Sequence, residues 1–147
     1  MNRRFVLAWL AVFIGWMAGS ILVHGTLLYD DYSRLPHLFR PEADAQGYFP
    51  LMLLAHAIMA GAFVWIYTRG VENTSWPQQG LRFGLAVALL GVVPTYLIYY
   101  VVQPLPGSLV IQQIVYDAIL VILLGLLVAW FYRRPAEARY TARASAA

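Results

Sequence analysis

Residues 109–132 read LVIQQIVYDAILVILLGLLVAWFY and contain a single charged side chain, that of Asp117. A helix of about 20 apolar residues crosses the hydrocarbon core of a bilayer, so this run is long enough for one crossing. Three further runs of similar length and character precede it, at residues 5–28, 49–68 and 83–102. A β-barrel would require short alternating segments, which these continuous runs are not. The sequence therefore predicts an all-α membrane protein, a bundle of four transmembrane helices.

The composition excludes several other classes of protein. The chain is 61% hydrophobic and 12% charged, whereas soluble domains carry about 25% charged residues. It has no Cys, which excludes disulfides, thiol nucleophiles and Cys-ligated metal centres. The net charge of +3 is not gathered into the basic face that nucleic acid requires. Walker, GxGxxG and HExxH motifs are absent, so we expect a protein that is not an enzyme.

The arginines predict an orientation. Eight of them fall on one side of the predicted spans, against Arg34 and Arg40 on the other. The eight are Arg3, Arg4, Arg69, Arg82, Arg133, Arg134, Arg139 and Arg143. Because basic residues favour the cytoplasmic side, we expect both termini in the cytoplasm of a bacterial cell, with the protein in the inner membrane.

The polar connections define the rest of the predicted organisation. Residues 1–134 form one transmembrane domain, and the Ala- and Arg-rich residues 135–147 are expected to be a disordered cytoplasmic tail. Residues 103–108, QPLPGS, are typical of a tight turn. They predict that the third and fourth helices form a hairpin.

Small residues spaced one helical turn apart indicate where the helices pack. Gly15 and Gly19 form such a pair in the first run, and Gly61 and Gly84 belong to similar pairs in the second and third. Such pairs allow close approach of helices in lipid. We expect contacts within the bundle, with a homodimer through Gly15 and Gly19, or a larger membrane complex, as the alternative. Pro94 lies within the third run and is expected to kink that helix.

Polar residues inside the runs are the most specific feature of the sequence. At about 1.5 Å per residue, they all lie roughly 5–12 Å below the outer ends of the predicted helices. Intramembrane ionisable residues usually face the bundle interior or a cavity. The pattern predicts an outward-facing polar pocket, in which Asp117 takes one of the histidines as its partner. Its predicted residues are His24, His56, Asp117, Gln113, Tyr96 and Tyr99.

Three interpretations of this pocket stay open from the residues alone. It can be a set of hydrogen bonds that fixes helix register, or a ligand-binding or proton-handling site of a binding, transport or accessory protein. In the third interpretation the chain is a redox protein, with His24 and His56 as axial ligands of haem b or as ligands of a metal ion. The sequence predicts no cofactor outright, and the lipid bilayer is the one certain partner.

Three segments carry a resemblance to a known group of proteins: HGTLLYDDYSRLPHLFR at 24–40, FPLMLLAHAIMAGAFVWIYTRGVE at 49–72 and QGLRFGLAVALLGVVPTYLIYY at 79–100. Together they resemble the small four-helix bacterial inner-membrane proteins that are grouped as domains of unknown function. The resemblance implies the four-helix layout and carries no activity and no functional residue.

Overall fold

The computed structural model describes residues 2–133, which are helical with no strand in that range. Four helical stretches are long and apolar enough to cross a membrane, and we name them the first to fourth spans: Arg3–Leu27, Ala43–Arg69, Trp76–Val102 and Gly107–Phe131. The predicted all-α class with four membrane-span-like helices is therefore confirmed. The predicted tail, residues 135–147, lies outside the described residues.

Three of the spans are composite. The first is an α-helix over Arg3–Leu22 that continues as a π-helical turn over Val23–Leu27. The second combines a helical turn at Glu42–Ala45, a 3₁₀ turn at Gln46–Tyr48 and an α-helix over Phe49–Arg69. The third is α-helical over Trp76–Val87, π-helical over Ala88–Val92 and α-helical over Val93–Val102. A short helix, Tyr29–Ser33, follows the first span.

The third span begins seven residues before the predicted Phe83, at Trp76. Pro77 suits the first turn of a helix, where a missing N–H costs nothing. Gln79 is buried in this turn, and its Nε2 donates to the carbonyl of Gly70 at 2.8 Å. Hydropathy alone does not detect a polar first turn of this kind, so the prediction started the helix too late.

The spans pack in a definite order. The first span contacts the second and the fourth, and the third packs mainly on the fourth. Near the chain termini, Phe83 of the third span also contacts two rings of the second, Phe63 at 4.7 Å and Tyr67 at 5.2 Å between ring centroids. We call this end of the bundle the terminal half. The opposite end, which carries residues 28–48 and 103–106, is the polar half.

Glycines bring the third and fourth spans together in the terminal half. A Cβ on Gly84 would lie 2.6 Å from Cα of Ile122, and one on Gly125 would lie 2.5 Å from the carbonyl oxygen of Gly80. These are backbone contacts that no side chain can relieve by moving. The prediction included Gly84 and omitted Gly80. Gly80 lies in the polar beginning of the helix, before the predicted run, so its contact with the fourth span was not expected.

The other predicted glycines pack within the chain. A Cβ on Gly19 would lie 2.2 Å from Leu120, and one on Gly15 would lie 3.0 Å from Leu124, both of the fourth span. Gly61 leaves room for Trp9, whose Nε1 donates to the carbonyl of Ala57 at 2.9 Å. The predicted homodimer would need a different surface, or would have to displace the fourth span, and it stays a prediction.

Pro94 is the second residue after the π-helical turn at Ala88–Val92. A proline ring clashes with the carbonyl four residues earlier in a regular α-helix and cannot donate to it. A π turn is wider, because its bonds join residues five apart. The structure thus accommodates Pro94 by widening the preceding turn.

Candidate functional site

Five polar side chains form one hydrogen-bonded chain in the polar half, which we call the polar cluster: Gln113, Tyr32, His24, Asp117 and Tyr96. Gln113 Nε2 donates to the hydroxyl of Tyr32 at 3.0 Å, and that hydroxyl lies 2.7 Å from His24 Nδ1. His24 Nε2 lies 3.3 Å from Oδ2 of Asp117, and the Tyr96 hydroxyl donates to the same oxygen. The cluster joins the first, third and fourth spans and the short helix Tyr29–Ser33.

Local helix geometry explains how these residues meet. Asp117 and Gln113 are four residues apart on the fourth span and therefore share a face. His24 lies in the π turn that ends the first span, and Tyr96 lies one turn after the π turn of the third. His24 thus lies within a π turn and Tyr96 follows one, and π turns are frequent at functional sites.

The short helix after the first span delivers the fifth member, Tyr32. The chain turns at Leu28, which is fully buried, and packs Leu35 and Leu38 against Leu105 and Leu109 of the fourth span and its approach. The rings of Tyr32 and Tyr96, two members of the polar cluster, pack against this small apolar cluster. The Tyr32 ring stacks on the His24 ring, with the two ring centroids 6.0 Å apart.

The predicted pocket did not include Tyr32, which lies outside the four predicted runs. Its position after the chain reversal at Leu28 could have indicated it, since a polar aromatic residue there can point back to His24. Burial raises the pKa of the Tyr32 hydroxyl, with the Asp117 charge adding to the rise and the Gln113 hydrogen bond opposing it. Its proton is therefore firmly held.

A neutral His24 with its proton on Nε2 satisfies every donor along the chain. Nε2 then donates to Asp117, and Nδ1 accepts from Tyr32, whose oxygen accepts from Gln113. If His24 takes up a second proton, Nδ1 becomes a donor and the Tyr32 hydroxyl must turn its hydrogen elsewhere. The state of His24 thus sets the direction of the hydrogen bond at Tyr32.

One atom of this cluster lacks a partner. Gln113 is 5% exposed, and within residues 2–133 its Oε1 is the buried side-chain oxygen or nitrogen that accepts no hydrogen bond. An unsatisfied buried polar atom costs roughly 1–3 kcal/mol and in native structures usually has an explanation. If the Gln113 amide turns over, Oε1 takes the place of Nε2 and can accept from a Tyr32 hydroxyl that has turned away from His24.

Two of the predicted pocket residues lie outside this cluster. His56 bonds through Nε2 to Ser20 Oγ at 3.3 Å and through Nδ1 to the carbonyl of Met52 at 2.8 Å, between the first and second spans. Tyr99 is 46% exposed and makes no hydrogen bond to the cluster in the described part of the chain. Shared depth brought them into the prediction, and their position around the helix separates them from Asp117.

The histidines also bear on the cofactor alternative. Both ring nitrogens of His24 and both of His56 take part in hydrogen bonds or an ion pair, and the two residues have no partner in common. Within residues 2–133, no group of three His, Cys, Asp or Glu side chains is placed to hold a metal ion. No contact here supports the haem or metal interpretation.

Comparison with known proteins adds no relative to this description. No protein-family model, curated protein or solved structure matches the chain. The resemblance to small four-helix inner-membrane proteins therefore stays an expectation, and the site rests on its own geometry.

Proposed function

We propose that this chain is a non-enzymatic membrane protein of the binding, transport or accessory class, whose polar cluster takes up and releases a proton at the His24–Asp117 pair. The observation that carries the proposal is the continuous hydrogen-bonded chain from Gln113 to Tyr96. The four apolar helices, which are compatible with an integral membrane protein, supply the setting.

The orphaned amide oxygen favours this function over a purely structural one. A network whose only role is to fix helix register gains nothing from a buried acceptor without a partner. In a network with two protonation states, that acceptor can bind the Tyr32 hydrogen when His24 carries its second proton. The pair is also not sealed inside the bundle, because the side chains of His24 and Asp117 are 33% and 15% exposed.

The arginine distribution supports a cytoplasmic location for both termini of the chain in a bacterial inner membrane. With the third and fourth spans as a hairpin, the polar half then faces outward. The His24–Asp117 pair would exchange its proton with the outer side of the membrane.

The proposal is tested by a pH series of ¹⁵N-histidine NMR spectra on the full chain in detergent. We expect the His24 ring signals to respond to pH, and Asp117→Asn to alter that response, because the carboxylate that lies 3.3 Å from His24 Nε2 is gone. His56→Gln is the matched control, since His56 belongs to a separate hydrogen-bonded group. The proposal would be refuted if the His24 signals did not change with pH, or if Asp117→Asn and His56→Gln altered them equally.

A further inference from the structure

A second polar recess lies in the terminal half, away from the polar cluster. A groove of about 360 Å³ opens where the second span ends and the third begins. That volume lies within the roughly 300–1,000 Å³ typical of small-molecule sites. Its walls include the apolar side chains of Ile66 and Phe83, and its lining includes the charged side chains of Glu72 and Arg82.

The two charges of the groove have opposite sign and adjoin each other. Arg82 Nη1 lies 3.6 Å from Glu72 Oε2, and the two side chains are 66% and 69% exposed. An exposed ion pair of this kind contributes little to stability. A ligand that carries both charges can therefore bind to both side chains without a large loss of stability.

A buried amide joins the two backbone segments that carry the charged side chains. Gln79 is 8% exposed, and its bond to the carbonyl of Gly70 ties the start of residues 70–75 to the first turn of the third span. Glu72 follows Gly70 by two residues, and Arg82 follows Gln79 by three. The backbone segments that carry Glu72 and Arg82 are thus held near each other by a contact other than the ion pair.

The groove also lies at the depth of lipid headgroups. The second span ends at Arg69 and the third begins at Trp76, so the groove is at the boundary of both. Arg69 lies over the ring of Trp65, 5.2 Å from its centroid, an arrangement suited to the membrane interface. Ile66 and Phe83 extend from the charged rim toward the apolar part of the spans.

We propose that this groove binds the headgroup of a zwitterionic phospholipid with a primary ammonium group, phosphatidylethanolamine. The phosphate would pair with the guanidinium of Arg82 through charge-assisted hydrogen bonds, and the ammonium would donate to the carboxylate of Glu72. A choline group has the same charge but no N–H to donate, and a glycerol headgroup has no positive charge. The site therefore discriminates among three common headgroups by charge and by hydrogen-bond donors.

Native mass spectrometry of the full chain with three lipids of identical acyl chains tests this site. We expect phosphatidylethanolamine to be retained several-fold better than phosphatidylcholine or phosphatidylglycerol. Glu72→Gln should abolish that preference, and Arg82→Gln should weaken binding of all three lipids. Both side chains are exposed, so both variants should fold, which circular dichroism checks.

The matched control is another exposed ion pair, Arg40 with Asp44, whose Nη1 and Oδ2 atoms are 2.8 Å apart outside the groove. Asp44→Asn should leave the lipid preference unchanged. Equal retention of the three lipids by the wild-type chain would overturn the proposal. So would a preference for phosphatidylglycerol that survives Glu72→Gln, or equal effects of Glu72→Gln and Asp44→Asn.

Discussion

Tyr32 couples the region outside the spans to the polar cluster, and its hydroxyl gives the cluster a measurable pH dependence. Burial raises the pKa of Tyr32 above the value near 10 that an unfolded chain would have. The unfolded chain therefore ionises first as the pH rises. The stabilisation that depends on a neutral Tyr32 is complete below about pH 10 and is lost as the pH rises further.

Replacing Tyr32 with Phe should flatten this alkaline loss of stability. At neutral pH the variant should be less stable than wild type by about 1 kcal/mol, because the hydrogen bonds to His24 and Gln113 are lost. The free energy of unfolding in mixed detergent and SDS micelles, followed from neutral pH to about pH 11, measures both effects. Tyr29→Phe is the control, since Tyr29 is 59% exposed. Identical alkaline slopes for wild type and Tyr32→Phe would contradict the assignment.

Most residues of the polar cluster were predicted from the sequence. Which face of each helix they occupy was not. His24, Asp117 and Gln113 were identified because polar residues are rare in the spans and because two of them are one turn apart. His56 and Tyr99 share their depth, but the sequence does not determine which neighbour each helix face meets. That information comes only from the packing of the spans.

At the level of helices, the close approach of the third and fourth spans depends on positions where no Cβ fits. Gly84→Ala should destabilise the protein by roughly 1–3 kcal/mol, because its Cβ would meet the backbone of Ile122 and both helices would have to separate. Gly91 is the matched control on the same span, since a Cβ there meets nothing within 4 Å.

Gly91→Ala should be neutral or stabilising by up to about 1 kcal/mol, because alanine restricts the unfolded chain more than glycine does. SDS-driven unfolding of the two variants, side by side, measures the difference. If the two lost stability equally, the backbone contact at Gly84 would not be what holds the helices together.

The small-residue pattern predicted that the spans approach closely, but it did not identify the partners. Gly61 and Gly84 both belong to such pairs, yet Gly61 adjoins the Trp9 ring at 3.5 Å and Gly84 adjoins backbone. The same motif thus tolerates a methyl group in one helix and excludes it in another. The π turns were not predicted either, because their hydrogen-bonding pattern leaves no distinct residue signature.

For the molecule as a whole, Arg4 joins the two ends of the described chain. Its guanidinium donates to the carbonyl of Phe131 and, at 2.9 Å, to the carbonyl of Arg133, and it lies 5.0 Å from the centroid of the Tyr132 ring. The last carbonyls of a helix lack partners within it and favour a positive charge nearby. The first span is thereby attached to the end of the fourth.

Arg4→Lys should weaken this attachment although it keeps the charge, because an ammonium lacks the planar pair of donors that reaches two carbonyls. We expect a loss of about 1 kcal/mol in the free energy of unfolding. Arg3→Lys is the control, since Arg3 makes no such contact in the described part of the chain. A stability of Arg4→Lys equal to that of Arg3→Lys would show that charge alone matters at this position.

The class of the molecule was predictable because each span carries its own length and hydropathy signal. The order of packing was not predictable, because the sequences of the four runs do not indicate that the first span lies between the second and the fourth. Aromatic contacts such as Phe63 with Phe83 are likewise products of that order. The sidedness of the bundle stays a prediction from the arginines.

The π turn at Ala88–Val92 separates two parts of the third span that pack differently on the fourth span. Before it, Gly80 and Gly84 hold the helix against the fourth span backbone to backbone. After it, none of the ten residues of Val93–Val102 is buried, and the bond from Tyr96 to Asp117 is their hydrogen-bonded tie to the fourth span. The segment Val93–Val102 is thus packed less closely on the fourth span than the segment before the π turn. Loss of the hydrogen bond between Tyr96 and Asp117 would therefore leave this end of the third span free to change its tilt against the fourth.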